Sequence, residues 1–156
     1  MPERPAWQEH LAAMGLSLPP VAPPVAAYVP AVVQGDLVYV SGQLPSSAGQ
    51  VRHRGRLGGG VELEEGRAAA RLCALNALAA AAAVAPGGPA AIAGVVKVEG
   101  FVQCTPEFHD QPAVINGASE LFGALFPGGG HARAAVGCAA LPLDAAVEVA
   151  VIFRLG

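Results

Sequence analysis

Residues 147–153, Val-Glu-Val-Ala-Val-Ile-Phe, constrain the fold of this chain more tightly than any other stretch. Side chains alternate across an extended strand, so Val147, Val149, Val151 and Phe153 share one face. Glu148, Ala150 and Ile152 take the other face, where Glu148 is the only charge. A strand that is apolar on both sides belongs inside a sheet covered on both sides. The stretch 91–103, "AIAGVVKVEGFVQ", is also apolar on both sides.

The segments around these strands supply part of the cover. Residues 62–85 predict a long helix: Glu62, Glu64 and Glu65 suit its positive N-terminal end, and Pro86-Gly87-Gly88 stops it. Leu72, Leu75, Ala79 and Ala82 give it an apolar stripe. Asp110 is placed to cap a second helix running through Phe126, which Pro127 and three glycines end. Ahead of them, "VPAVVQGDLVYVSG" reads as a hairpin around Gln34-Gly35-Asp36, and 46–60 as a Gly-rich loop or ragged third strand. Residues 132–139 and 146–154 read as two closing strands, joined in a hairpin near Leu141-Pro142-Leu143-Asp144. The order ββ(β)αβαββ defines an α+β fold with a mixed sheet and two helices on one face. Residues 3–14 predict a short helix with a Trp7, Leu11, Met14 stripe, followed by a Pro-rich connector. The expected organisation is an extension over 1–24 and one domain over 25–156.

Two helices cover only one face of such a sheet, so the other is expected to be buried in a partner subunit. Composition agrees. The 156 residues are 53% hydrophobic and only 13% charged, against about 25% charged in ordinary soluble domains. A membrane span needs roughly 20 apolar residues, whereas "LCALNALAAAAAVA" is about a dozen broken by Asn76. The N-terminus shows no secretory pattern. A soluble, cytoplasmic oligomer is the expectation. The net charge of −3 gives no general attraction to nucleic acid or anionic membrane. Cys73, Cys104 and Cys138 are isolated and odd in number, so buried free thiols are expected.

Few residues carry chemistry. His10, His53, His109 and His131 are scattered without metal-ligand spacing. Arg52, His53, Arg54 and Arg56 form the one basic cluster, which lacks interleaved aromatics and reads as a solvated loop. "GGGVELEEG" lacks the Lys-Ser/Thr of a phosphate-binding loop. Arg133 stands out: it is the only Lys or Arg between Val98 and Phe153, and it opens an apolar strand. Three readings stay open for it: a carboxylate partner, solvent, or an anionic ligand held by two parallel hydrogen bonds. His131 beside it is a further candidate for lining a site. Glu148 is the mirror case, an acid between valines. A hairpin centred near 142–143 would put Arg133 and Glu148 on one face, on the order of 13 Å apart, too far for an ion pair. Only a neighbouring subunit would bring them into one site.

Two blocks carry a resemblance to a known family. "YVPAVVQGDLVYVSGQLP" (28–45) resembles the Tyr-Val, Gly-Asn/Asp and Ser-Gly-Gln-hydrophobic-Pro pattern of the RidA/YjgF proteins, often called endoribonuclease L-PSP. "ARAAVGCAALPLDAAVEV" (132–149) resembles their Ala-Arg, Leu-Pro and hydrophobic-Glu-hydrophobic pattern. The likeness spans about 25–154. It implies a chorismate-mutase-like fold, a homotrimer with a barrel-like core, and a ligand cleft at each subunit boundary. It also implies that Arg133 clamps a substrate carboxylate and that Glu148 orients or activates water. Tyr28, Ser41, Gly42 and Asn116 would line the cleft. Ala135 stands where the family often has Cys, leaving a backbone group to serve there.

The implied reaction is hydrolysis of short-lived 2-imino or enamine acids, such as 2-aminoacrylate, to 2-keto acids and ammonia, with no cofactor or metal. Two other readings are a non-catalytic trimer that binds small carboxylates, as a sensor or chaperone, and a ribonuclease. The basic residues lie away from the expected cleft and no His pair suits RNA cleavage, which weighs against the last.

Overall fold

The computed structural model describes residues 5–24 and 26–156. Helix α1 (Ala6–Ala13) leads into strands β1 (Ala31–Gln34) and β2 (Leu37–Gln43). Four two-residue strands follow in the Gly-rich region: β3 (Ser46–Ser47), β4 (Gln50–Val51), β5 (Arg56–Leu57) and β6 (Gly60–Val61). Then come α2 (Leu63–Val84), β7 (Ile92–Gln103), α3 (Gln111–Leu125), β8 (Ala132–Cys138) and β9 (Val147–Leu155). Short 3₁₀ turns at Gly88–Ala91 and Pro142–Asp144 precede β7 and β9. Residues 3 and 4 of the expected 3–14 helix, and position 25, where the domain is expected to begin, lie outside the described residues.

The main sheet is mixed, with strand order β1-β2-β9-β7-β8. Only β7 and β8 run parallel, as a strand–helix–strand crossover through α3 requires. The β1–β2 hairpin pairs Gln34 with Leu37 around the expected Gly35-Asp36 turn. The expected β8–β9 hairpin does not form. Strand β9 pairs with β2 and β7, so β7 separates it from β8. The 139–146 connection steps over one strand instead of turning back, and buried Gln103 pins it. Its Nε2 donates to Asp144 Oδ1 at 2.8 Å and to Gly55 O at 2.9 Å, while Oε1 accepts from Leu141 N at 2.7 Å. The anchor holds Leu143 and Asp144 in left-handed backbone that non-glycine residues seldom adopt.

Helices α2 and α3 form the covering layer, as expected, and α1 packs on α3. Helix α2 lies across β9 and β2 and against α3. By length and hydropathy α2 would qualify as a membrane span, yet 67% of that window is buried inside the fold. Its small residues explain this placement. Ala69, Ala70, Cys73, Ala74 and Ala77 are buried to completion, so α2 approaches sheet and helix closely. The contact with α3 is tightest at Gly117, where any Cβ would overlap the Arg67 carbonyl. Buried Asn76, which breaks the apolar run, donates to Leu44 O at 3.1 Å and Ser46 O at 3.0 Å. It satisfies its amide and fixes the chain just after β2. Asp110 stands at the N-terminal boundary of α3 but makes no side-chain cap bond, so the expected capping is not realised. Helix α1 packs on α3 through Trp7 and Leu11, whereas Met14 of the same stripe is 40% exposed.

Val147, Val149, Val151 and Phe153 are buried beneath the helices as their alternation requires. Among the described residues nothing forms a covering layer over the opposite face of the sheet. Tyr39, Ile152, Lys97 and Ala132 form one row across it, and Glu148, Phe101 and Val136 another. Val32, Tyr39 and Val136 there are 51%, 44% and 46% exposed. Among these apolar groups Lys97 and Glu99 form an ion pair at 2.9 Å.

Candidate functional site

The expected site residues fall into two clusters on opposite faces of the sheet. Arg133 lies on the helix side of β8, opposite Val98 of β7, and reaches under α3. Its Nη1 donates to Asn116 Oδ1 at 2.7 Å and to Ser119 Oγ at 3.2 Å. Asn116 and Ser119 are three residues apart on α3 and so share a helix face. That spacing was the available sequence signal for Ser119, which was not expected. Ser119 Oγ also bonds His131 Nε2 at 2.9 Å. Burial, and secondarily the Arg133 charge, push the His131 pKa down. Among the described residues Arg133 has no carboxylate within ion-pair distance. Of its three open readings, an internal salt bridge is therefore absent. The guanidinium is oriented by two neutral acceptors. Ala135, two residues on, is half-buried and packs against the core from the same strand face.

The second cluster lies at the open face. Strands β2 and β9 shift register between Val40 and Gln43, which places Ser41 and Gly42 in an irregular stretch. Ser41 Oγ donates to Val29 O at 2.7 Å, and Ser41 N donates to Pro30 O at 2.9 Å. These bonds hold the segment carrying Tyr28, which is 42% exposed, against the end of β2. The Glu148 side chain lies directly over Gly42: a Cβ at Gly42 would stand 2.9 Å from Glu148 Cδ and 3.1 Å from its Oε1. Only glycine leaves that space. Burial raises the Glu148 pKa above the usual carboxylate value.

The two clusters do not meet within one chain. Arg133 and Glu148 lie opposite Val98 and Phe101 of β7, two strands apart, so their Cα atoms are roughly 14 Å from one another. The expectation that they share a face is wrong, because it rested on the β8–β9 hairpin; alternation across β7 places them on opposite faces. The thiols are free. Cys73 and Cys104 are buried, but Cys138 is half-exposed, contrary to expectation. Burial is the main cause that raises the pKa of both Cys73 and Cys138. In the basic loop, His53 lies 3.6 Å from Glu65 and Arg52 bonds Gln50, so the cluster is engaged locally. No group of three or more potential metal ligands occurs among the described residues.

These features define an α+β domain with a mixed sheet, an oriented edge-strand arginine and a glycine-seated glutamate. The family described as endoribonuclease L-PSP matches residues 20–154. The chain belongs to this family, that of the RidA/YjgF proteins. It is 42% identical over 148 residues to Protein TCP17 of Trypanosoma cruzi, covering 94% of this chain and 92% of that protein. It is 34% identical over 131 residues to the 2-iminobutanoate/2-iminopropanoate deaminase of Dermatophagoides farinae, covering 83% and 88%. The solved structure of Atu1372 from Agrobacterium tumefaciens superposes with a TM-score of 0.87 at 41% identity, over 97% of this chain and 94% of the other.

Proposed function

We propose that this chain is a cofactor-independent hydrolytic deaminase of small 2-imino or enamine acids, acting as a homotrimer. The observation that carries the reading is Arg133, oriented by Asn116 and Ser119 with no carboxylate among the described residues within ion-pair distance. A planar guanidinium so held suits a carboxylate through two parallel hydrogen bonds. The kinship with an iminobutanoate deaminase supports the choice of substrate class. In the reaction, an enamine first tautomerises to the imine by moving a proton from nitrogen to its methylene carbon. Water then adds to the imine carbon, and its proton passes by way of Glu148 to the nitrogen. The resulting carbinolamine transfers its hydroxyl proton to the nitrogen as the C–N bond breaks, giving 2-keto acid and ammonia. Glu148, whose elevated pKa suits a group that exchanges protons with water, positions that water and takes its proton.

A complete site requires the Tyr28, Ser41, Gly42 and Glu148 cluster of one copy to face Arg133 and Ala135 of the next. The open apolar face is the surface through which copies associate, and β8 at the sheet's edge brings Arg133 to the boundary.

Freshly generated 2-aminoacrylate gives the test, with ammonia and pyruvate release followed against the spontaneous rate. Acceleration that disappears in Glu148→Gln while pyruvate still binds, and disappears together with pyruvate binding in Arg133→Ala, supports the enzyme. Pyruvate binding without acceleration by the wild type turns the reading to a carboxylate-binding trimer. RNA cleavage that survives purification but is lost in Arg133→Ala turns it to a ribonuclease.

A further inference from the structure

A cleft of about 640 Å³ lies where α1, the C-terminal end of α3 and the start of β7 meet, and it touches the Arg133 cluster through His131. Its volume falls within the range of small-molecule sites. Its apolar wall is made by Ile92, Phe122 and Phe126, with Trp7 behind, 6.2 Å from the Phe126 ring. Its charged and titratable lining consists of Arg154, His10 and His131, with no Asp or Glu among the described lining residues. Arg154 is the one permanent cation of that lining, and it stands with the two imidazoles beside an aromatic floor. Arg154 is exposed, and among the described residues its one hydrogen bond is to Ala93 O at 3.4 Å.

One lining residue leads on to Arg133. Arg133 donates to Ser119 Oγ, which frees the Ser119 hydroxyl hydrogen for His131 Nε2. The neutral His131 ring then carries its proton on Nδ1. An anion in the cleft stabilises the doubly protonated ring, whose Nε2–H donates to Ser119 and reverses that hydrogen bond. The groups that influence this are Arg133 on one side and His10 and Arg154 in the cleft.

We propose that this cleft is a second binding site, for an organic anion with an aromatic or otherwise apolar body, and that His131 and Ser119 transmit its occupancy to Arg133. The effect on substrate rests on the reading of Arg133 given above; the site itself does not.

The probe is 1-naphthoate, titrated calorimetrically into the full chain. One saturable site per chain is expected. Gly123→Leu adds bulk at the rim, at a helical position where a Cβ meets nothing within 4 Å. It is expected to weaken binding at least ten-fold, as is Arg154→Gln, whereas Arg133→Ala still binds, and at least as tightly as wild type, because the charge that opposes protonation of His131 is gone. Absence of saturable binding, binding that either rim variant leaves unchanged, or loss in Arg133→Ala overturns the site. For the coupling, the Arg133 Nε–H signal in a ¹⁵N spectrum should move on naphthoate addition in wild type and stay still in Ser119→Ala. A signal that stays still in wild type, or moves equally in Ser119→Ala, overturns it. Neither readout uses turnover. A failed imine assay with these results intact removes the deaminase reading alone.

Discussion

Arg133 Nη1 donates to Asn116 Oδ1 at 2.7 Å, so the candidate carboxylate clamp is oriented by a neutral amide and not by an acid. The distinction has a consequence. Asn116→Asp keeps the shape and the hydrogen bond but supplies a carboxylate that competes with the ligand for the guanidinium. Pyruvate affinity should fall at least ten-fold, equivalent to about 1.4 kcal/mol, with little change in melting temperature. Asn116→Ala, which removes orientation but adds no competitor, should cost less. Calorimetric titration of both variants checks the order.

Glu148 makes pH the second lever. Burial holds its folded-state pKa above the ordinary 4.5. Below pH 4.5 the group is protonated in both folded and unfolded states and costs nothing. Above it the unfolded chain ionises first, so Glu148's contribution to stability declines until pH passes the raised native pKa. Glu148→Gln has no such decline. The melting temperature of Glu148→Gln should therefore exceed that of wild type by an amount that opens above pH 4.5 and then levels off. If the carboxylate is the base in turnover, the acid limb of kcat/KM should also lie above 4.5. Equal melting temperatures at pH 4 and pH 8 would count against the burial of this carboxyl.

Gly42 offers a test of geometry in place of charge. A methyl group there meets the Glu148 carboxyl at 2.9 Å, and the yielding partner is a flexible side chain. Gly42→Ala should move the carboxyl while leaving the strand intact. Turnover should fall by about 100-fold or more, the scale on which misplacing a reacting group is felt. Pyruvate affinity at Arg133 should change little. Parallel kcat and Kd measurements separate the two outcomes.

Sequence exposed local patterns well and long-range pairing poorly. The β1–β2 hairpin, α2 and α3 each announce themselves through alternation, an acidic first turn or a Pro-Gly stop, all within about 20 residues. The β8–β9 relation is different. A Leu-Pro-Leu-Asp turn suits a hairpin equally well as a connection that steps over a neighbour, and only the seating of β7 between the two strands decides. Gln103, which enforces that choice, lies some 40 residues from Leu141 and Asp144 in sequence. Arg133 and Glu148 were legible as misplaced charges in apolar strands. Their opposite faces were not, because face assignment inherits the pairing. Ser119 was visible only as a residue three positions from Asn116.

The open sheet face carries the last prediction. Val136 is 46% exposed in a row with Phe101 and Glu148, on the side of β8 away from Arg133 and α3. In an isolated chain Val136→Arg replaces an exposed residue and should alter stability by no more than about 0.5 kcal/mol. In an assembly it buries an unpaired charge between subunits, at a cost of several kcal/mol. Sedimentation should therefore show an oligomer for wild type and a single chain for Val136→Arg, with unchanged far-ultraviolet circular dichroism. Imine hydrolysis should vanish with assembly, because Arg133 keeps its bond to Asn116 but loses the glutamate of the neighbouring copy. A Val136→Arg protein that sediments as wild type would move the contact surface away from this face. A single-chain variant that still turns over 2-aminoacrylate would show that one chain holds the whole site.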